Sequence, residues 1–207
     1  MIKDYTKKCR LCRAAGMKLF LKGQRCLTKC PIDKKGPVPP GQHGAKRRRK
    51  LSDYGIRLAE KQKLRRTYLT NENTLKKYFL QAKKLKGAAT GEVLLQTLES
   101  RLDNVVYRLG LVPSRRFSRQ LVSHKHVLVD GKIVNIPSAR IKPGSIINLD
   151  SRAMNMTEIK ALLGKKDLTI PPWMERKGPV GKFARYPKRE EIGTNISEQL
   201  VVEHYSR

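Results

Sequence analysis

The sequence predicts an α+β chain, mainly helical through its middle, with a small antiparallel sheet after the helices and a basic arm before them. Three observations lead there. Apolar residues recur at helical spacing between Ser52 and Ser123. Strand signals begin only beyond that point, with Val127-Leu128-Val129, Asp130-Gly131 and Lys132-Ile133-Val134 in the pattern of a two-residue type I′ hairpin. The first quarter lacks apolar periodicity and contains Gly36-Pro37-Val38-Pro39-Pro40-Gly41, so it reads as an extended arm with a local staple rather than an independent core.

Each element follows from its own pattern. Ser52 is placed to cap a basic amphipathic helix in which Ile56, Leu58 and Leu64 alternate with Arg57, Lys61, Lys63, Arg65 and Arg66. A second helix starts at Asn71, carries Leu75, Tyr78, Phe79 and Ala82, and ends before Gly87. Thr90 opens a third, whose stripe of Val93, Leu94, Leu98 and Leu102 runs on towards Tyr107 with a break near Ser100. Ser114 caps a short fourth helix from Arg115 to Ser123. After the hairpin, Pro143-Gly144 turns into a third strand, Ile146-Ile147-Asn148-Leu149, and Thr157 to Leu163 is helical again. Pro171-Pro172-Trp173 reads as a loop anchored by the only Trp, a strand is expected over Phe183–Tyr186, and the pattern of Leu200-Val201-Val202 fits helix or strand. There is no internal repeat.

Charge narrows the function. The chain has 207 residues, 39% of them hydrophobic, and 46 Lys and Arg against 17 Asp and Glu give a net charge of +29. About half of that excess, +14, falls in residues 1–50. Self-repulsion on this scale is relieved by a polyanionic partner, and nucleic acid is the expected one. An anionic membrane surface is disfavoured, because the strongest basic run holds no Trp or Phe to insert. No apolar run approaches the roughly 20 residues needed to span a bilayer, and the first residues lack the apolar core of a signal peptide, so a cytoplasmic protein is expected.

Four motifs could carry chemistry. Cys9-x2-Cys12 and Cys26-x3-Cys30, separated by 13 residues, offer two close thiol pairs of the kind that share a tetrahedral zinc shell. One structural zinc ion is expected there; disulfides or unligated thiols are what the spacing leaves open. Lys46-Arg47-Arg48-Arg49-Lys50 is either a solvated run or a phosphate-binding one, and its junction with the basic helix that bears Arg57, Lys61, Lys63 and Arg66 favours phosphate. In the fourth helix Arg115 and Arg119 lie four apart on one face, with Arg116 and Gln120 on the adjoining strip, which suits phosphates through guanidinium forks. His124 and His126 flank Lys125, where hydrogen bonding or RNA contact is expected before metal or acid–base work, and Lys132 lies in the hairpin beyond.

Enzyme signatures are absent: there is no Walker-type phosphate loop, no Gly-x-Gly-x-x-Gly, no His-Glu-x-x-His and no Gly-x-Ser-x-Gly. No small-molecule substrate is expected. Asp103, between Arg101 and Arg108, reads as one half of a structural ion pair or as a cap.

From Glu99-Ser100-Arg101-Leu102-Asp103-Asn104-Val105-Val106-Tyr107-Arg108-Leu109-Gly110 through Ser114-Arg115, Arg119-Gln120-Leu121-Val122, His124, Asp130-Gly131-Lys132 and Val134-Asn135-Ile136-Pro137-Ser138, the chain resembles the RNA-binding module named after small-subunit ribosomal protein S-four. That module also occurs in some pseudouridine synthases, tyrosyl-tRNA synthetases and heat-shock proteins. Pro39-Pro40-Gly41-Gln42-His43-Gly44, Leu51-Ser52-Asp53-Tyr54-Gly55, Glu60-Lys61-Gln62-Lys63-Leu64-Arg65 and Glu198-Gln199-Leu200-Val201-Val202-Glu203 resemble the bacterial-type S-four ribosomal family itself, in order and over nearly the whole chain. The four cysteines are similar to its zinc-binding variant, although the Cys26–Cys30 spacer is one residue shorter. Lys125 stands where the family commonly has Gly, which implies that this position need not adopt a left-handed backbone.

The resemblance implies a zinc-binding arm over residues 1–45, a helical domain from 46–90 with 180–207, and the inserted module over 91–179. It implies a non-enzymatic protein of the small ribosomal subunit that binds the 5′ domain of 16S rRNA early in assembly. It further implies that the protein lines the channel by which mRNA enters, beside small-subunit proteins three and five, and influences decoding accuracy. The expected mechanism is a clamp, with the arm and first basic helix on one side of an rRNA junction and Arg115, Arg116, Arg119 and Lys132 on the other. The competing readings are an RNA-modifying enzyme or regulatory RNA-binding protein with the same module, and a zinc-stabilised DNA-binding regulator.

Overall fold

The computed structural model of the chain describes residues 7–46, 50–85, 87–164 and 169–206. In chain order the elements are α1 (Lys8–Ala15), α2 (Arg25–Thr28), α3 (Pro31–Lys35), α4 (Asp53–Thr67), α5 (Glu72–Lys84), α6 (Thr90–Glu99), α7 (Leu102–Arg108), α8 (Arg115–Ser123), β1 (Val127–Val129), β2 (Lys132–Ile133), β3 (Ile146–Leu149), α9 (Ser151–Met154), α10 (Thr157–Leu163), β4 (Met174–Lys177), β5 (Val180–Phe183), a 3-10 turn (Arg189–Glu191) and α11 (Glu198–Ser206). They form two compact units, residues 1–91 with 195–207, and residues 92–194. The α+β class stands.

The expected caps form. Ser52 Oγ accepts the Gly55 N–H at 3.3 Å, Asn71 Oδ1 accepts that of Thr74 at 2.8 Å, and Ser114 Oγ accepts that of Phe117 at 3.2 Å. Each satisfies one of the first-turn donors a helix leaves open.

In the first unit the arm is not extended. It folds into α1, α2 and α3 around Cys12, Leu19 and Leu21, with Leu11, Met17, Ile32 and Leu69 packed against them. Sequence periodicity missed this core because its helices run only 4 to 8 residues, too short to display a stripe. Leu200-Val201-Val202 resolves as helix, and α11 lies along α4. Gly91 permits that approach from its own side: a Cβ there would stand 2.7 Å from Glu198 Cγ.

In the second unit the break near Ser100 separates α6 from α7, and the turn and isolated β-bridge of segment 137–141 cover it. Ile141 N–H donates to Ser100 O and Leu102 N–H to Ala139 O, both at 2.8 Å. The sheet is antiparallel in the order β2-β1-β3-β5-β4. Its β1–β2 turn has Asp130 at φ 49° and Gly131 at φ 79°, both left-handed as a type I′ turn requires. One face is buried through Val127, Ile147, Leu149, Met174 and Phe183.

Two boundaries move. The strand expected over Phe183–Tyr186 is instead Val180–Phe183, paired with the unforeseen β4, whose Met-Glu-Arg-Lys has no strand pattern and is recruited by pairing. Because β5 lies between β3 and β4, residues 180–194 belong with the sheet rather than with the helical unit. Lys125 does adopt a left-handed backbone, φ 66°, because the chain reverses from α8 into β1 there, with Lys125 N–H on Val122 O. Trp173 is buried, as an anchor should be.

Candidate nucleic-acid interface

In the second unit, α7 and α8 are joined by a buried polar network built from the Glu99-to-Arg108 motif. Glu99, wholly buried, accepts from Arg108 Nε at 3.0 Å and Nη2 at 2.7 Å and from Asn104 Nδ2 at 2.6 Å. Asn104 Oδ1 in turn accepts from Arg115 Nε at 2.7 Å, and the Arg115 guanidinium lies 4.5 Å from the centre of the Tyr107 ring. Arg101 grips Asp103 with two hydrogen bonds of 3.0 and 2.6 Å, and Ser118 Oγ donates to the Asp103 carbonyl at 2.5 Å. Asp103 is thus half of a structural ion pair. Charged pairs buried this deeply are costly to break singly, so the network fixes the rotation of α8.

That rotation corrects the expected clamp. Arg115 is buried and committed to Asn104 and Tyr107, so it is a fastener of α8 and not a phosphate ligand. The strip it leaves outward is the adjoining one. Arg116, Gln120 and His124 recur every four residues and are exposed, Lys125 and Lys132 are exposed beyond them, and Arg119 is half-buried. Among the described residues Arg116, Lys125 and Lys132 form no ion pair. His126 Nδ1 stands 3.7 Å from Asp150.

In the first unit the basic residues of α4 are largely turned to acids. Arg57 lies 3.7 Å from Glu203 of α11, buried Lys61 donates to Glu72 Oε1 at 2.8 Å, and Lys63 pairs with Glu60. Arg66 is half-buried. Tyr205 donates to the same Glu72 oxygen at 2.7 Å. Burial pushes the Glu72 carboxyl up, but the hydrogen bonds from Lys61 and Tyr205 and the charges of Lys61 and Arg65 outweigh it and hold the group below its usual value. The Glu60–Lys63 spacing was visible in the sequence; Glu72 and Glu203 reach α4 only through tertiary packing. Lys46 and Lys50 are exposed, and Arg47, Arg48 and Arg49 lie outside the described residues. Exposed lysines that the sequence reading passed over stand on α5, at Lys76, Lys77, Lys83 and Lys84.

The four cysteines are free thiols lining one small cavity with Lys8, Lys22, Arg25 and Lys29. Lys22 N–H donates to Cys26 Sγ at 3.3 Å. Burial pushes the Cys12 thiol up, opposed by a backbone hydrogen bond from Leu19 and reinforced by neighbouring Cys26, Cys9 and Cys30. Among the described residues, no three Cys, His, Asp or Glu side chains are drawn to metal-coordinating distance. Nor is any helix among them long and apolar enough to cross a membrane.

Comparison with known proteins adds the following. Residues 3–99 match the profile described as "Ribosomal protein S4/S9 N-terminal domain", and residues 100–147 match the S4 domain. The chain is 50% identical over 206 residues to small ribosomal subunit protein uS4 of Thermus thermophilus, covering 96% of each chain. The uS4 proteins of Dictyoglomus turgidum and Natranaerobius thermophilus are 52% and 48% identical over 203 and 206 residues, again 96% of each chain.

Proposed function

The chain belongs to the small ribosomal subunit protein uS4 family, and from that premise we propose that it is a structural, non-enzymatic protein of the small ribosomal subunit that binds the 5′ domain of 16S rRNA and helps fold it during assembly. The observation that carries the RNA-binding part is the exposed strip of Arg116, Gln120, His124, Lys125 and Lys132, whose Arg116, Lys125 and Lys132 form no ion pair among the described residues and whose α8 portion is fixed by the buried Arg115–Asn104 bond. A fixed row of cations and amides meets RNA through phosphates and 2′-hydroxyls, the features an A-form helix presents. Membership of the family weighs against the RNA-modifying alternative.

Three finer parts belong to the same reading. Exposed Lys46 and Lys50 flank a basic run suited to a single RNA strand, consistent with a place along the channel by which mRNA enters. A place beside small-subunit proteins three and five, with an influence on accuracy, is the part of this proposal that the family resemblance implies. Cys9, Cys12, Cys26 and Cys30 would hold one structural zinc ion, which would bind as a tetrathiolate and fasten α1 to α2 and α3. The donor set fits: four thiols share one cavity, a backbone N–H serves one sulfur, and four cations rim the negative charge that four thiolates would bring.

The test is charge reversal on the strip. Arg116→Glu with Lys125→Glu should weaken binding to a 5′-domain fragment by about 100-fold at low salt and flatten the salt dependence by about two phosphate contacts. An unchanged affinity and slope would refute the strip.

A further inference from the structure

The four thiols of the arm share one cavity but are not equivalent. Cys12, Cys26 and Cys30 are buried, whereas Cys9 is only half-buried and its side of the cluster reaches solvent. Cys9 and Cys12 stand three apart in α1, on one face of that helix. Among the described residues the cavity is lined by the cations Lys8, Lys22, Arg25 and Lys29 and by no carboxylate. A partly exposed sulfur in an electropositive setting attacks electrophiles, whereas a thiol buried among apolar groups is inert. A second thiol one helical turn away is placed to resolve what the first one forms.

The backbone around Cys9 can follow such a reaction. Cβ atoms three apart on a helix are about 5–6 Å from each other, and a disulfide needs about 3.5–4.5 Å, so the turn between them must tighten by about 1–2 Å. Cys9 lies in the first turn of α1, where Lys7 makes no side-chain capping bond and the backbone N–H groups have no helical partner. Cys12 is held instead in the core with Leu19 and Leu21. The first turn therefore yields and Cys12 stays.

We propose that Cys9 and Cys12 form a modification site for hydroperoxides, with Cys9 as the attacking thiol and Cys12 as the resolving one. The Cys9 sulfur takes the terminal peroxide oxygen, the O–O bond breaks, and Cys9 becomes a sulfenic acid while the other oxygen leaves as water or an alcohol. The Cys12 sulfur then displaces that hydroxyl as a second water and closes the Cys9–Cys12 disulfide. Two thiols lose two electrons, one peroxide gains them, and both thiol protons end on the departing oxygens. The new bond draws the Cys9 sulfur back onto its own helix, so α1 gives up its share of the cluster that it forms with α2 and α3. In this way an oxidant loosens the arm. The site rests on the grouping of the thiols alone; in a chain loaded with zinc the same step removes two of the four ligands.

The experiment treats the full chain with hydrogen peroxide at neutral pH, after chelation and after loading with zinc. The chelated chain should lose two thiols, with peptide mapping joining Cys9 to Cys12, at least about tenfold faster than the same chain unfolded in urea. The zinc-loaded chain should release its metal to a chromophoric chelator in step with that disulfide. Wild type quenched early with dimedone should carry the label on Cys9, a readout that needs no variant to fold. Cys12→Ser should accumulate the labelled Cys9, and Cys9→Ser should keep its three remaining thiols over the time that converts the wild type. A first disulfide between Cys26 and Cys30, a dimedone label on either of them, or a rate no faster than in urea would overturn the proposal. A chain that binds no zinc yet closes the Cys9–Cys12 bond supports it and removes only the zinc reading.

Discussion

Replacing Arg115 by Met separates a fastener from a phosphate ligand. The side chain keeps its length and apolar stem but loses the 2.7 Å bond to Asn104 and the stack 4.5 Å above Tyr107. A buried hydrogen bond from a charged donor is worth about 1.5–3 kcal/mol, and a cation held over a ring adds about 0.5–2 kcal/mol when desolvated. Asn104 Oδ1 is left buried without that donor, so a loss of about 3 kcal/mol is expected in the second unit. The assay is urea unfolding followed by tryptophan fluorescence, since Trp173 is the only Trp and is buried in that unit. With a slope near 2 kcal/mol per molar urea, the midpoint should fall by about 1.5 M. Under conditions where the variant is folded, its salt slope for RNA should match the wild type. A midpoint within about 0.3 M of wild type, together with a slope lower by about one contact, would refute this assignment and restore Arg115 to the interface.

Other consequences follow from the same structure. Gly181→Ala places a Cβ 2.3 Å from Leu109 Cδ1 in a site where Leu109 is wholly buried, and should destabilise the second unit by about 1–3 kcal/mol; adding Leu109→Ala should recover part of that, whereas strictly additive losses in the Trp173 signal would contradict the overlap. Because the folded-state pKa of Glu72 lies below its ordinary 4.5, its contribution is present above that pH and lost as pH falls through the folded value. Amide protection in α11, measured against the intrinsic exchange rate at each pH, should therefore fall on acidification in the wild type, while Glu72→Gln should be less protected already at neutral pH and show less of the acid response. Metal analysis of protein purified without chelator should find one zinc ion per chain, and Cys12→Ser should lose it; metal-free wild type with its amide protection in α1 intact would remove zinc from the account.

Much of the architecture was legible because it is encoded locally. Ser52, Asn71 and Ser114 announce their helices by side-chain chemistry alone, and Asp130-Gly131 announces its turn because few residue pairs tolerate two positive φ angles. What escaped is encoded by packing at a distance. The strand β4 exists because β5 pairs with it, and the core around Cys12, Leu19 and Leu21 is assembled from elements too short to show a period. The same holds for the site. Residue type marked α8 as basic, but which of its arginines faces out was decided by Arg115 and Ser118 meeting Asn104 and Asp103 of α7. Lys61 read as an RNA ligand on α4 until α5 brought Glu72 to it. Lys125 shows the converse, a side chain accepted at positive φ because the helix-to-strand reversal requires that backbone.

The most direct measurement is a salt titration of the full chain on a 5′-domain fragment of 16S rRNA beside an unrelated folded RNA of equal length. Phosphate attraction is common to both, so each affinity should fall steeply with salt, but the 5′-domain fragment should stay at least about tenfold tighter at the highest salt tested. Equal affinities with the same slope on both RNAs would contradict the account and leave a general polyanion binder.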